Sequence, residues 1–295
     1  MIDIRQSLHY ANFLKSQGWI VESLPAGKAG IDNINYFIRK FPLIGSVLKV
    51  QRPERLDLNK VRNLANKYRS FQIVVEPKDE SQSELLASNG FKLCKSPFLP
   101  TKTLQIDLTQ TNEKIYADFT KDCRYNIKRG EKITTKVYSS LDDIKKWRTA
   151  WKNSVNYSRY VPSHQSLLNI KKSFPCLAGR QAQSSSLFLA SHNILGRIIG
   201  GVLFTTSSHD GSNYITYYWY GFTNSEGRST LSQYSLLYHG ILWAKKQGYK
   251  VFDFEGIYDE RFPNKSWLGF THFKRSFGGA EVLYPGCYTK FRLPF

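Results

Sequence analysis

Hydrophobic residues follow two different spacings along this chain. In some segments they recur every three or four positions, which predicts amphipathic helices, and in others every second position, which predicts strands. Helices are predicted at 7–19, 56–68, 81–91, 112–132, 141–155, 163–174, 229–248 and around Phe273. Strands are predicted at 19–24, 33–41, 45–53, 70–77, 101–108, 133–139, 185–191, 196–207, 213–223, 250–257 and 280–291. This mixture predicts an α/β (α+β) protein.

The elements follow a similar order in the two halves of the chain. Each half has a helix, strands, a second helix and then a strand that ends near an acidic residue, QIVVEP at 72–77 and KVFDFEGI at 250–257. The 295 residues also exceed the usual size of one domain. The pattern therefore predicts a duplicated α/β unit joined at the helix 112–132. Because no Gly/Ser- or Pro-rich linker occurs, we expect the halves to be packed rather than tethered.

The charge of the chain is strongly positive. It has 42 Lys and Arg residues against 23 Asp and Glu residues, a formal net charge of +19. Such a field attracts polyanions such as RNA, anionic lipid head groups or pyrophosphates, although it can also serve solubility. On the helix 112–132, four basic residues share one face because they lie three or four positions apart. These residues are Lys121, Arg124, Lys128 and Lys132.

The cysteine pattern and the lack of long apolar segments indicate a protein of a reducing compartment. The four cysteines are scattered, and neither CxxC nor a His/Cys cluster with zinc spacing occurs, so we expect no metal site and reduced thiols in a cytoplasmic protein. The segment MIDIRQSLHY has no apolar core, so we expect no signal peptide. No run of about 18 apolar residues occurs. Peripheral attachment to a membrane through basic residues stays open.

The strand 213–223 runs into a turn and then a helix N-terminus, a junction that often binds anions. N-acyltransferases that use acetyl-CoA have a [QR]xxGx[GA] loop there, whereas here NSEGRST contains Gly227 alone, which disfavours CoA. On the strand, Tyr218 and Tyr220 are predicted to share one face. Their phenols can be ligand donors, or the strand can simply bury an aromatic face in the core.

Two acidic residues alternate with phenylalanines in FDFEGIYDERFP. Phe252 and Phe254 are predicted to face the core, and Asp253 and Glu255 the opposite side. One of these carboxylates could accept the proton of an incoming ammonium. Alternatively, both cap the neighbouring turn or pair with basic residues.

The segment GFTHFKRSFGG holds one lysine between two phenylalanines. Phe273 and Phe277 are four positions apart and predict a short helix packed on the core, which two glycines end. Lys274 on such a helix could stabilise an oxyanion in acyl transfer, or a phosphate. The alternative is a surface lysine. No nucleophile motif, P-loop or Rossmann glycine pattern occurs, so the residues do not support nucleophilic catalysis by the protein.

Three segments together resemble the FemABX aminoacyltransferases, the peptidoglycan bridge-forming peptidyltransferases. They are IRQSLHYANFLKSQGW, DLTQTNEKIYADFTKDCRYNIKRGEK and FDFEGIYDERFPNKSWLGFTHFKRSFGG, and TYYWYGFT and LLYHGILWAKKQGYKVFDFEGI fit the same pattern. The resemblance implies two GNAT-like domains with mixed twisted sheets flanked by helices. It places the first at 1–130, completed by a returning segment 281–295, and the second at 131–280, with the FK-x-x-F-G motif.

The resemblance also implies an activity. An amino acid would move from aminoacyl-tRNA to the amine of a peptidoglycan stem peptide, without metal or CoA. Lys274 matches the lysine that stabilises the charge developing at the ester, and Phe273 lines that channel. The matches for precursor contacts are Tyr218, Tyr220 and Glu76, and Arg124 and Lys128 match a basic helix between the domains.

The chain departs from the family at the positions that bind a UDP-linked precursor. Leu14 and Pro162 stand where a lysine and an arginine would hold its pyrophosphate, with Lys15 and Arg159 nearby but out of register. A lipid-linked precursor is therefore favoured over the UDP-linked one. Two other functions stay open: an N-acyltransferase of the same fold with another activated donor, and a non-catalytic protein that binds RNA or membranes.

Overall fold

The computed structural model describes residues 2–24, 34–130, 133–155, 159–174, 185–209 and 213–293. Contacts between Cα atoms divide the chain into two units, and each is described by itself. Unit 1 comprises Met1–Lys102, Tyr258–Asn264 and Leu283–Phe295, and unit 2 comprises Thr103–Ile257 and Lys265–Val282. In the ranges described, every helix is too short or too polar to cross a membrane.

The elements occupy the following ranges. The strands are β1 (Ile20–Leu24), β2 (Ile34–Phe41), β3 (Gly45–Gln51), β4 (Ser70–Glu76), β5 (Lys92–Leu93), β6 (Lys102–Asp107), β7 (Thr134–Tyr138), β8 (Ser186–His192), β9 (Ile198–His209), β10 (Asn213–Thr223), β11 (Val251–Asp253), β12 (Ala280–Leu283) and β13 (Tyr288–Phe291). The helices are α1 (Leu8–Ser16), α2 (Leu58–Lys67), α3 (Glu80–Ser88), α4 (Asn112–Ala117), α5 (Lys121–Gly130), α6 (Leu141–Ser154), α7 (His164–Ser173), α8 (Ser225–Ser229), α9 (Ser232–Lys246) and α10 (Leu268–Arg275).

Unit 1 contains a six-stranded sheet with the order β1-β2-β3-β4-β13-β5. β3 and β4 pair in parallel, and the other neighbours are antiparallel. The C-terminal strand β13 lies between β4 and β5, where Tyr288 pairs with both Val75 and Leu93. Alternate residues of β2, β3 and β4 are buried together with the apolar stripe of α2, including Ile38 and Val61.

Unit 2 contains a seven-stranded sheet with the order β12-β6-β11-β10-β9-β8-β7. β10 and β11 pair in parallel, whereas β6 is antiparallel to β11. One face packs on α5 and α9 around Phe204 and Phe252. On the other face Trp147 of α6 contacts Phe188 and Phe222 edge to face. The expected fold class, α/β (α+β) with mixed sheets flanked by helices, is confirmed.

The predicted single helix 112–132 is wrong, because the structure has two helices there, α4 and α5. Between them the Thr120 hydroxyl accepts a hydrogen bond from the Cys123 N–H at 3.2 Å and so begins α5. Arg124 donates to the carbonyl oxygens of Ala117, at 2.9 Å, and Phe119. These side-chain bonds satisfy backbone groups that a continuous helix would have used, so they stabilise the break.

Two predicted strands are also wrong in extent. The strand expected at 250–257 ends at Asp253, because Glu255 and Gly256 have φ angles of 53° and 111° that no strand accommodates. The strand expected at 280–291 is interrupted at Pro285 and Gly286, which has a φ of 120°. Its two parts, β12 and β13, belong to different sheets.

The units divide between Lys102 and Thr103, whereas the expected boundary after residue 130 lies inside unit 2. The reason is that β6 pairs with β11 and α5 packs on α9, so both belong to the second sheet and its helices. The expected returning segment 281–295 corresponds to Leu283–Phe295 of unit 1.

Candidate active site

A buried lysine on α10 is the centre of the candidate site in unit 2. Lys274 is 7% exposed. Its Nζ donates to the carbonyl oxygens of Phe254, at 2.7 Å, and Gly256, at 2.6 Å. The same nitrogen lies 5.4 Å from the ring centroid of Tyr218 and 5.0 Å from that of Phe270. An ammonium has three N–H groups, so one remains to point at a ligand.

The two carbonyl oxygens converge because the chain turns sharply after β11. Glu255 and Gly256 have left-handed φ angles, which bring alternate carbonyls to one side. Asp253 stabilises this turn, because its Oδ1 accepts from the Glu255 N–H at 2.7 Å and from the Thr103 hydroxyl at 2.5 Å. Thr103 in turn accepts from the Gly256 N–H at 3.2 Å. The backbone of this turn thus fixes the position of the two carbonyl oxygens that bind the ammonium.

Burial lowers the pKa of Lys274 to about 8, although the carboxylates of Glu255 and Asp253 oppose that shift. The side chain therefore carries its charge at neutral pH but loses it in a mildly alkaline solution. A buried cation with an unused N–H is suited to stabilising negative charge that develops on a reacting oxygen, because the low dielectric strengthens the interaction.

The two acidic candidates differ in their surroundings. Asp253 is 3% exposed, and its Oδ2 accepts from the Gln105 amide at 2.7 Å, so both of its oxygens are occupied. Burial, followed by the charge of Glu255, raises the pKa of Asp253. This arrangement is typical of a residue that positions the turn. Glu255, in contrast, is half-buried.

The expectation that Tyr218 and Tyr220 share a face is wrong. Tyr218 pairs with Phe204 and Tyr220 with the adjacent Leu203, so Trp219 is an extra residue that forms a β-bulge. A one-residue bulge turns the following side chains to the other side of the sheet. Tyr218 consequently packs on the core beside α9, whereas the Tyr220 ring lies 5.2 Å from that of Trp151 on α6.

Tyr218 is held by two residues that the sequence did not single out. The Gln233 amide donates to the Tyr218 hydroxyl at 2.8 Å, and burial raises the pKa of this phenol to about 12. A Cβ at Gly221 would lie 1.9 Å from the hydroxyl oxygen, so only glycine leaves room for it. In the sequence, the glycine within this strand of aromatic residues was the signal that another group approaches the backbone closely there.

The parallel pairing of β10 with β11 ends at this point. Their last parallel pair is Tyr217 with Asp253, and β10 continues to Thr223. Tyr218 is the first residue past that pair, and Lys274 binds the carbonyls just past the end of β11. The phenol and the ammonium therefore lie together where the parallel pairing of β10 and β11 ends.

Gly227 has a packing role. A Cβ there would lie 2.1 Å from the carbonyl oxygen of Ile199 on β9. Its N–H already donates to the Asn224 side chain at 2.8 Å, which begins α8. The glycine thus permits α8 to approach the sheet, and its N–H is engaged within the protein.

We expect Gly227→Ala to lower the free energy of unfolding by about 1–3 kcal/mol, because the backbone oxygen of Ile199 must shift. Denaturant titration measures this change. Gly269→Ala on α10 is the matched control, because nothing lies within 4 Å of a Cβ there. A Gly227→Ala variant as stable as the wild type would contradict the packing role.

The basic residues of α5 do not all remain available to a ligand. Lys121 and Lys128 are exposed, opposite the side on which Cys123 is buried. Arg124 is half-buried, and its guanidinium contacts the end of α4 as described above. Lys132 lies outside the described residues. The charged face therefore rests on the two lysines.

Other expected site residues have the following positions. Phe273 is half-buried, and its ring contacts Tyr234 edge to face at 4.7 Å, next to Lys274. Arg159 is exposed in the segment that precedes α7. Leu14 is half-buried and Pro162 is buried. Phe273 thus precedes Lys274 on α10, and its ring packs against the aromatic core of unit 2.

Glu76 belongs to unit 1 and is 3% exposed at the end of β4. Its Oε2 accepts from the Gln51 amide at 2.8 Å and its Oε1 from the Leu99 N–H at 2.6 Å. Burial raises its pKa, which the bond from Gln51 and the nearby Arg52 oppose. Both oxygens are engaged within unit 1, so Glu76 stabilises this part of the fold.

Several solved structures superpose on this one over most of its length. FemX superposes with a TM-score of 0.78 at 16% identity, over 98% of this chain and 92% of FemX. L-PGS from Bacillus licheniformis superposes with a TM-score of 0.58 at 14% identity, over 96% and 90%. A tandem GNAT protein from the clavulanic acid biosynthesis pathway gives 0.51 at 10% identity, over 92% and 83%.

No family model matches the sequence, and no curated protein is significantly similar to it. The similarity to these proteins is therefore one of fold. The expected resemblance to the FemABX aminoacyltransferases is confirmed at the level of the fold, as is its GNAT-like character.

Proposed function

We propose that this chain is an aminoacyltransferase that moves an amino acid from aminoacyl-tRNA to the amine of a peptidoglycan stem peptide. The observation that carries the proposal is the buried Lys274 ammonium, which donates two of its three N–H groups to carbonyls where the pairing of β10 and β11 ends. The likeness to FemX over nearly the whole chain supports this class of reaction.

The reaction forms one bond and breaks another. The acceptor amine attacks the carbonyl carbon of the aminoacyl ester, and the carbonyl oxygen becomes an oxyanion that Lys274 stabilises. The C–O bond to the tRNA ribose then breaks, and the amine proton goes to the departing ribose oxygen, directly or through Glu255. Aminolysis of an activated ester needs no cofactor. Holding both substrates in place can contribute about 7–11 kcal/mol in the best cases.

The positive charge of the chain supports aminoacyl-tRNA as the donor. The chain carries a net charge of +19, and Lys121 and Lys128 project from the exposed side of α5. A polyanionic donor such as tRNA fits this surface, and its affinity should fall steeply with salt concentration because binding releases counterions.

We expect Lys121→Gln combined with Lys128→Gln to weaken tRNA binding and to reduce the slope of log affinity against log salt concentration by about 1.4–1.8, two phosphate contacts' worth. Filter binding over a salt series measures this slope. Lys145→Gln with Lys146→Gln on α6 is the matched control, because both lysines are exposed and the charge change is equal. If the two double variants gave equal slopes, α5 would not be part of the tRNA-binding surface.

The acceptor is proposed to be lipid-linked. Leu14 and Pro162 provide no charge for the pyrophosphate of a UDP-linked precursor, and Pro162 is buried. A lipid-linked precursor places the enzyme at the cytoplasmic face of the cell membrane, as a peripheral protein. A putative lysylphosphatidylglycerol synthetase domain from Agrobacterium fabrum is a further structural neighbour, so phosphatidylglycerol is included as an alternative acceptor.

A second candidate function is N-acyl transfer from another activated donor, which the likeness to a tandem GNAT protein favours. Acyl-CoA is the obvious donor. The engaged N–H of Gly227 argues against a pyrophosphate at the start of α8. A non-catalytic protein that binds RNA or membranes is the third candidate, and the buried ammonium argues against it.

The test is a transfer assay with purified protein and a pool of radiolabelled aminoacyl-tRNAs. Lipid-linked stem-peptide precursor, UDP-linked precursor and phosphatidylglycerol vesicles are supplied in separate reactions, with acyl-CoA in place of tRNA in a fourth. We expect label on the lipid-linked precursor. Label on phosphatidylglycerol alone, or transfer only from acyl-CoA, would replace the proposal by the corresponding alternative. Binding of tRNA without transfer to any acceptor would favour the non-catalytic function.

A further inference from the structure

The turn between β2 and β3 in unit 1 exposes a run of apolar side chains. We call residues 41–44 the hairpin tip. Its sequence is FPLI, and Phe41, Leu43 and Ile44 are 41%, 108% and 60% exposed. Large aliphatic side chains this exposed and contiguous usually mark a contact surface. The tip contributes little to the core, so its apolar character needs another explanation.

A leucine at position 43 is unfavourable for two reasons, its backbone conformation and the exposure of its apolar side chain to water. Its φ is 65°, in the left-handed region that asparagine or glycine adopts at much lower cost than leucine. Either residue would improve both the turn and its solubility. A strained residue that is also a fully exposed hydrophobe indicates that the side chain itself has a function.

The residues at the two ends of the hairpin tip are anchored to neighbouring parts of unit 1. The Ser46 N–H donates to the Arg69 carbonyl at 3.1 Å, and the Ser46 hydroxyl donates to the Tyr68 carbonyl at 2.8 Å. Gly45 has a φ of 113°, and a Cβ there would lie 2.4 Å from the Arg69 oxygen. The rings of Phe41 and Phe71 are in contact at 6.0 Å. Little conformational entropy is therefore lost when the tip binds.

Basic side chains surround the base of the hairpin tip. Lys40, Lys67 and Arg69 are exposed and line the hollow beside residues 41–45. The acid in contact with this group is Glu22, which pairs with Lys67 at 2.6 Å. The charges of Lys40 and Arg69 are positive and lie beside the apolar side chains. An apolar tip with basic side chains next to it matches the boundary between acyl chains and anionic head groups.

We propose that the hairpin tip inserts into the interface of an anionic lipid bilayer, with Leu43 and Ile44 among the acyl chains and Lys40 and Arg69 at the lipid phosphates. An apolar tip presents few directional hydrogen-bonding groups, as insertion into lipid requires, whereas protein interfaces have about one hydrogen bond per 100–200 Å². The inference does not depend on the proposed chemistry, because bare lipid is the ligand.

The test is sedimentation of the full chain with vesicles of phosphatidylcholine and phosphatidylglycerol that contain neither precursor nor tRNA. We expect Leu43→Asn to lower the partition coefficient about tenfold, since a leucine side chain leaves the acyl region. Its net charge is unchanged, and the turn should be at least as stable to denaturant because asparagine adopts the left-handed region more readily. Loss of binding through misfolding is thereby distinguished from loss of insertion.

Ile194→Asn is the matched control. Ile194 is 102% exposed on the turn between β8 and β9 in unit 2, so the change removes a similar apolar surface. Hydrogen exchange provides a second readout, with the amides of residues 43–45 protected by vesicles in the wild type. The proposal is overturned if Leu43→Asn has the same partition coefficient as the wild type, or if Ile194→Asn lowers the partition coefficient as much as Leu43→Asn does. It is also overturned if the wild type does not bind the vesicles.

Discussion

Lys274→Met is expected to lower the transfer rate about 10²–10³-fold without unfolding the protein, as removal of one oxyanion donor does in other enzymes. The reason is geometric. Lys274 is a buried cation at the point where the pairing of β10 and β11 ends, and its remaining N–H is the donor that methionine lacks. The substituted side chain has a similar length and suits the apolar rings of Tyr218 and Phe270, so the packing of α10 should persist.

Lys245→Met is the matched control for this variant. Lys245 on α9 also donates to two backbone carbonyls, those of Leu108, at 2.8 Å, and Gln110. The same kind of interaction is lost there, but at the end of β6 rather than at the proposed site. Single-turnover transfer from aminoacyl-tRNA compares the two variants. A wild-type rate for Lys274→Met, or an equal loss for Lys245→Met, would contradict the catalytic role.

The order of elements could be predicted from the sequence because it depends on local periodicity. Buried positions in α2 and α6 recur at helical spacing, and β8 and β9 are bounded by turn residues. The motif around Lys274 was also predictable, since Phe273 and Phe277 four positions apart imply one packed helix. Local patterns thus identified the residue at the centre of the candidate site.

Features decided by partners distant in sequence could not be predicted. The bulge at Trp219 depends on the register of β10 against β9, so strand periodicity alone placed Tyr218 and Tyr220 on one face. The division of the chain at Lys102 follows from pairing of β6 with β11. In each case tertiary pairing overrode the local pattern.

The environment of Lys274 is a further example. The sequence showed a lysine, but its two carbonyl partners depend on the left-handed turn at Glu255 and Gly256. Gln233 belongs to α9 and reaches Tyr218 only through the packing of that helix on the sheet. A side chain's burial and its hydrogen bonds are properties of the assembled unit, and they are what makes this lysine chemically unusual.

The stability of the protein should depend on pH through the same lysine, by about 3 kcal/mol. The pKa of Lys274 is lowered from 10.5 to about 8 by burial. Below about pH 8 the folded and unfolded chains both hold the proton, so the full penalty of a buried charge is present. Between about pH 8 and 10.5 the folded state has released the proton while the unfolded state still binds it. The free energy of unfolding therefore rises with pH across that window.

The measurement is denaturant unfolding of the wild type and of Lys274→Met at about pH 7.5 and about pH 10.5. The difference between the two proteins isolates the lysine, because other groups such as the buried phenols of Tyr218 and Tyr220, with pKa values of about 12, titrate in both. The wild type should gain relative to the variant as the pH rises. The transfer rate of the wild type should decline over the same window, since the neutral amine cannot stabilise an oxyanion as the ammonium does. Parallel stability curves would mean that Lys274 is not a desolvated cation, and the electrostatic basis of its catalytic role would be lost.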